Sequence, residues 1–196
     1  MRHVLSGKCG LLALGLLGVG GAAQAHTLGL PHMDFATGFG HPLGGLDHVL
    51  AMVAVGLWAA QLGGRALWRV PLTFVLTMAV GGLFGLFGIP LPMVESGIAG
   101  SVLILGVLVA LASRLPLAAS MTLVGVFALF HGYAHGAEMA AESSALWYSS
   151  GFMLATALLH GAGIGIGLAA RSGASARLVR LGGAAIAASG VLLLAG

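Results

Sequence analysis

From residue 43 to the C-terminus the chain alternates between long apolar runs and short polar breaks. A helix crosses the hydrocarbon of a bilayer with about 20 apolar residues. Six runs approach that length, at 43–63, 70–89, 95–113, 117–137, 146–170 and 179–195. The breaks carry the residues that stop or turn helices. Gly63-Gly64-Arg65 with Arg69 and Pro71 makes the first, Pro90 and Pro92 the second, and Arg114 with Pro116 the third. The polar run from Gly136 to Ser144 makes the fourth, and Arg171 to Arg180 the fifth. None of the runs shows the period-two alternation of barrel strands. The pattern predicts an all-α membrane protein, a bundle of six transmembrane helices.

A different kind of segment precedes the bundle. Arg2, His3 and Lys8 are followed by a short apolar stretch over 9–20 and by Ala23-Gln24-Ala25. A basic start, an apolar centre and an A-x-A site are the three parts of a cleavable secretory signal. Residues 1–25 are therefore expected to be a signal peptide, and 26–196 the six-helix domain beginning at His26. The single cysteine, Cys9, falls in the signal. The mature chain then has no thiol, and any metal it meets must be held by nitrogen and oxygen donors.

Composition agrees with lipid as the solvent. Of the 196 residues, 59% are hydrophobic and 7% are charged, whereas a soluble domain is about 25% charged. Mean hydropathy is +1.06. The formal charge of +3 does not point to nucleic acid: without Arg2 and Lys8, six arginines face five acids. Those arginines lie in short loops, the positive-inside pattern. With His26 outside, threading puts Arg65, Arg69, Arg114, Arg171, Arg177 and Arg180 inside. It puts Asp34, Asp47, Glu95, Glu138 and Glu142 outside, and both mature termini as well. There is no nucleotide-binding motif, since His160-Gly-Ala-Gly-Ile-Gly sits in an apolar run rather than after a strand. The 34 glycines suit close helix packing in lipid, within one chain or between copies in a homo-oligomer.

Two constellations carry chemistry. His41-Pro42-Leu-Gly-Gly-Leu-Asp47-His48 opens the first run. Pro42 suits a first helical position, so His41 is expected at the cap and on one helical face with His48, while Asp47 binds metal or orients an imidazole. Phe130-His131-Gly-Tyr-Ala-His135-Gly-Ala-Glu138 closes the fourth run. Spacings of four and three stack His131, His135 and Glu138 on one face, two nitrogens and an oxygen for one divalent ion. Weaker candidates are His160, deep in the fifth run, as an inner relay ligand or an interhelical hydrogen bond, and Glu95 at an outer helix end. His26, His32 and Asp34 lie in the outer segment. Trp147 and Tyr148 read as interfacial anchors, and Met52, Met121 and Met153 as packing.

With both motifs in hand, the chain resembles the HupE/UreJ family of bacterial nickel/cobalt permeases over essentially its whole length. The signal ending before His26, His41-x5-Asp47-His48 and Phe130-His131-Gly-x-Ala-His135-Gly-x-Glu138 carry the resemblance. It implies a secondary transporter of the bacterial inner membrane, not an enzyme, importing Ni2+ or Co2+ (Zn2+ less so) as substrate for hydrogenase or urease maturation. By the same resemblance His41, Asp47, His48, His131, His135 and Glu138 are the functional positions, and Glu95 matches a further acidic one. Without a nucleotide motif an ion gradient or the membrane potential must drive import, the potential supplying about 4.6 kcal/mol per 100 mV for a dication. Metal capture should weaken as histidines protonate near their ordinary pKa of about 6.5. The alternative is a membrane-embedded zinc hydrolase using the same cluster, with Glu138 or Asp47 as base. For a permease, both clusters should converge at the outer end with His160 below them.

Overall fold

The computed structural model describes residues 31–140 and 143–196, with 31–33 described by backbone alone. The expected signal peptide and His26 lie outside the described residues. Seven helices follow in order: α1 (Pro31–Gly44), α2 (Leu46–Leu62), α3 (Ala66–Leu86), α4 (Val94–Leu111), α5 (Leu117–Ala137), α6 (Ala145–Ala169) and α7 (Gly173–Ala195). There is no strand among the described residues. Helices α3 to α7 are long and apolar enough to cross a membrane, and α1 with α2 counts as a sixth span if the bent pair is taken as one.

That bent pair corrects the sequence reading. The first run does not start as a helix at 43. Helix α1 is already formed by Pro31, and the chain turns by 83° between α1 and α2. Pro42 lies inside α1 rather than at a first helical position. Having no N–H, it deprives the last turn of a bond. Gly45 then adopts extended φ −103°, ψ 120° as the N-cap of α2. His41 and His48 therefore stand on different helices and do not share a face.

Helix packing follows the glycines. A Cβ on Gly132 would run into the Met78 carbonyl and lie 2.8 Å from Gly82 N. Gly81 meets Leu129 and Gly85 meets Tyr133, so α3 and α5 lie parallel with their backbones in contact. Gly56 and Gly163 do the same for α2 and α6, and Gly38 and Gly151 for α1 and α6. Gly106 packs on Ala187 while Gly190 packs on Leu103, which makes α4 and α7 antiparallel. Apolar helices gain little from hiding from lipid, so close backbone approach and dispersion must hold them together. Trp58, Phe74, Met52, Met78 and Leu105 fill the centre, and Met121 and Met153 pack against it.

These directions gather the α2–α3, α4–α5 and α6–α7 connections at one end of the bundle. All six arginines of the described chain lie in or beside those connections, whereas Glu95 and Glu138 lie at the opposite end, with Asp47. At the arginine end Trp58 Nε1 donates to the Ser113 carbonyl at 2.8 Å, and Gln61 Nε2 donates to the Val109 carbonyl at 3.0 Å. Both bonds tie the end of α2 to the C-terminal end of α4 and the residue after its cap.

Candidate metal site

At the acidic end three segments meet. Helix α5 presents His131 and His135 in its last two turns and ends on Glu138, whose N–H donates to the Ala134 carbonyl at 2.9 Å. Helix α1 brings His41 in its last turn, and α2 brings Asp47 and His48 in its first. The turn between them is tight. A Cβ on Gly45 would lie 2.7 Å from Asp47 Oδ1 and 2.9 Å from His48 Nδ1. Only a residue without a side chain lets those two groups fold back over the break.

The outermost group is His41, His135 and Glu138. Each offers one donor atom, and the three atoms lie within 4.8 Å of one another. His41 Nε2 stands 3.3 Å from Glu138 Oε2. Two nitrogens and a carboxylate oxygen at this spacing can share one divalent ion. The rings then continue inward. His135 lies edge-on to His41 at 4.7 Å between centroids and 4.5 Å from His48, which in turn is 4.9 Å from His131. Solvent exposure is highest at the outer pair, where the Glu138 side chain is 57% exposed and His41 34%, and low at the rings behind them: His48 is 12% exposed, and His135 and His131 are buried.

Hydrogen bonds assign tautomers to two of these rings. His48 Nδ1 is 2.8 Å from Asp47 Oδ1. The carboxylate can only accept, so Nδ1 carries the proton and the lone pair sits on Nε2, which is buried without a partner. Ser101 Oγ donates its one hydrogen to the Ile98 carbonyl at 2.6 Å and lies 2.9 Å from His131 Nε2. With that hydrogen spent, Oγ accepts from Nε2–H, and the lone pair of His131 is on the unpartnered Nδ1. Asp47 and Ser101 thus act as outer partners that aim imidazole lone pairs, the usual arrangement behind histidine ligands. Both nitrogens of His135 are buried and unpartnered, so this ring is uncommitted between its two neighbours.

Beyond His131 the column is interrupted by Phe74, whose ring is 5.6 Å from His131 and 5.1 Å from His160. His160 is 1% exposed, and neither of its ring nitrogens has a partner. Its reading as a satisfied interhelical hydrogen bond therefore does not hold.

The remaining candidates divide. Glu95 is exposed in the first turn of α4 and makes no ion pair among the described residues. His32 belongs to α1 by its backbone. Asp34 is not part of a loose tail: it is 3% exposed, and its Oδ2 accepts from Ser144 N–H at 2.9 Å. Ser144 is the N-cap of α6, where a carboxylate also complements the helix dipole. Trp147 is exposed, as an anchor would be, but Tyr148 is buried. The Tyr148 ring sits 5.9 Å from His41, and Phe152 packs on His135 at 3.9 Å.

Four residues of the site escaped the sequence reading: Ser101, Phe74, Tyr148 and Phe152. Ser101 left one signal, a hydroxyl in the middle of an otherwise apolar run. The aromatic residues left none, because aromatic side chains in a membrane helix are ordinary packing.

Comparison with known proteins identifies the family. Residues 14–193 match the family described as HupE / UreJ protein. The chain is 46% identical to Protein HupE of Rhizobium leguminosarum bv. viciae over 183 residues, which covers 93% of this chain and 95% of that protein. No solved structure matches it. A match of this extent, with both His-rich segments inside it, makes the chain a member of the HupE/UreJ family.

Proposed function

We propose that the chain is a secondary permease that carries Ni2+, or Co2+, inward across the bacterial inner membrane to supply hydrogenase or urease maturation. The observation that carries this reading is the column of donors, from the exposed Glu138 and the half-buried His41 to His48 and the buried rings of His135 and His131. A hydrated dication cannot enter hydrocarbon without replacement of its water. His41, His135 and Glu138 supply that replacement at the outer end. His135, bare on both nitrogens, passes the ion to His48 Nε2 and His131 Nδ1, and His160 is the station beyond Phe74. Asp47 and Glu138 give the mouth negative charge, and Glu95 draws cations toward it. Absence of thiolate favours nickel and cobalt over Cu(I).

The same reading assigns the acidic end to the periplasm and the arginine end to the cytoplasm by the positive-inside rule. Residues 1–25 are the cleaved signal. Inward movement follows the membrane potential, since no nucleotide site is in the sequence. The alternative of a zinc hydrolase draws no support from the family match.

Uptake of radiolabelled nickel by cells expressing the chain tests the proposal. Accumulation above the empty-vector level that disappears in His135→Ala and Asp47→Ala at equal protein abundance is the expected result. Equal uptake with and without the chain ends it.

A further inference from the structure

The arginine end holds a second arrangement, remote from the imidazoles. A cavity of about 480 Å3 opens between the ends of α2, α4 and α6 and the start of α7. Arg114, Arg171 and Arg180 all line it, from the α4–α5 connection, the α6–α7 connection and the second turn of α7. No carboxylate lines it, and none of these arginines makes an ion pair among the described residues. Positive-inside bias accounts for arginines at this end. It does not account for three converging on one cavity while Arg65, Arg69 and Arg177 stay out of it. Three like charges around one space repel unless an anion joins them.

One of the three is held ready. Arg180 Nε donates to the Ala110 carbonyl at 2.8 Å, which fixes the guanidinium and leaves its two terminal amino groups for the cavity. Gln61 also lines the cavity, and its Nε2 donates to the Val109 carbonyl. Guanidinium groups match phosphate oxygens in charge and planar geometry. Basic pockets between membrane helices on the cytoplasmic side suit anionic headgroups.

We propose that this cavity is a phosphate-binding site. Its ligand is a phosphate, either the headgroup of an acidic phospholipid such as phosphatidylglycerol or free hydrogen phosphate. The site is independent of the metal column and stands whether or not the chain moves nickel.

The test uses the full chain, delipidated in detergent. Binding of phosphatidylglycerol, phosphatidylcholine and inorganic phosphate is followed by native mass spectrometry and by the shift in melting temperature. Saturable binding of phosphatidylglycerol but not phosphatidylcholine is expected, weakened about fivefold for each of Arg114→Gln, Arg171→Gln and Arg180→Gln. Arg177→Gln, at the same end but outside the cavity, should bind as the parent does. Competition by inorganic phosphate identifies a free-anion site, and no competition identifies a lipid site. If Arg180→Gln fails to fold for want of its bond to Ala110, the two loop variants carry the measurement. Failure of both phosphate probes to saturate, or equal weakening in Arg177→Gln, overturns the proposal.

Discussion

At the scale of single residues the site depends on which nitrogen of each ring is free. Ser101 has no chance of touching the ion first, because its hydroxyl is already engaged with Ile98 and His131. Its contribution is to hold the His131 proton on Nε2. Ser101→Ala removes that acceptor, so Nε2–H is orphaned in a fully buried place and the ring is free to turn or change tautomer. Loss of such an outer partner typically costs 10–100-fold in metal affinity or activity. We therefore expect nickel uptake to fall by about tenfold in Ser101→Ala with the melting temperature nearly unchanged, measured as the concentration dependence of initial uptake. His160→Gln separates the outer and inner stations: calorimetric nickel binding by the purified protein should persist while uptake is lost. Retained uptake in that variant would remove His160 from the path.

The element scale is governed by the break at Gly45. An added methyl would collide with Asp47 and His48, so Gly45→Ala should disturb the aim of His48 rather than the bundle. The expected result is strongly reduced uptake with unchanged helix content by circular dichroism. Gly132→Ala acts differently, because its methyl would enter the backbone of α3. Overpacking of a close contact costs about 1–3 kcal/mol, which should lower the melting temperature of the purified protein. These two glycines also mark the limit of sequence reasoning. The spans were legible because arginine and proline interrupt long apolar runs; α3 to α6 lie within about four residues of their expected ends, whereas α7 starts at Gly173, six residues early, and takes Arg177 and Arg180 into the helix. The first differs because Pro42, a residue that suits a helix start, sits in the last turn of α1, and because Gly44-Gly45 inside an apolar run does not by itself declare a turn. The pairing of the two motifs was legible from their donor chemistry. Tyr148 as a neighbour of His41 was not, because that contact crosses from α6 to α1 and leaves no local periodicity.

For the whole molecule the separation of charge along the bundle axis is the controlling feature. Acids and imidazoles gather at one end and arginines at the other, so the membrane potential and the fixed charges draw a cation the same way at the mouth. Collapsing the potential with an ionophore should reduce nickel uptake several-fold at fixed external pH, since about 4.6 kcal/mol per 100 mV is at stake for a dication. Orientation is checked by reporter fusions. A reporter that is active only in the cytoplasm should work when joined after Arg114 and fail when joined after Glu138. The reverse pattern would turn the path around.

The bond from Asp34 to Ser144 reaches further than the start of one helix. It laces α1, which carries His41 in its last turn, to the loop that follows Glu138, so on the proposed reading two walls of the metal site are joined before any ion arrives. A socket assembled during folding has little left to order when its guest lands. Grip is then set by how well the opening matches the ion's radius and coordination, and the rhythm of transport by how quickly the guest departs.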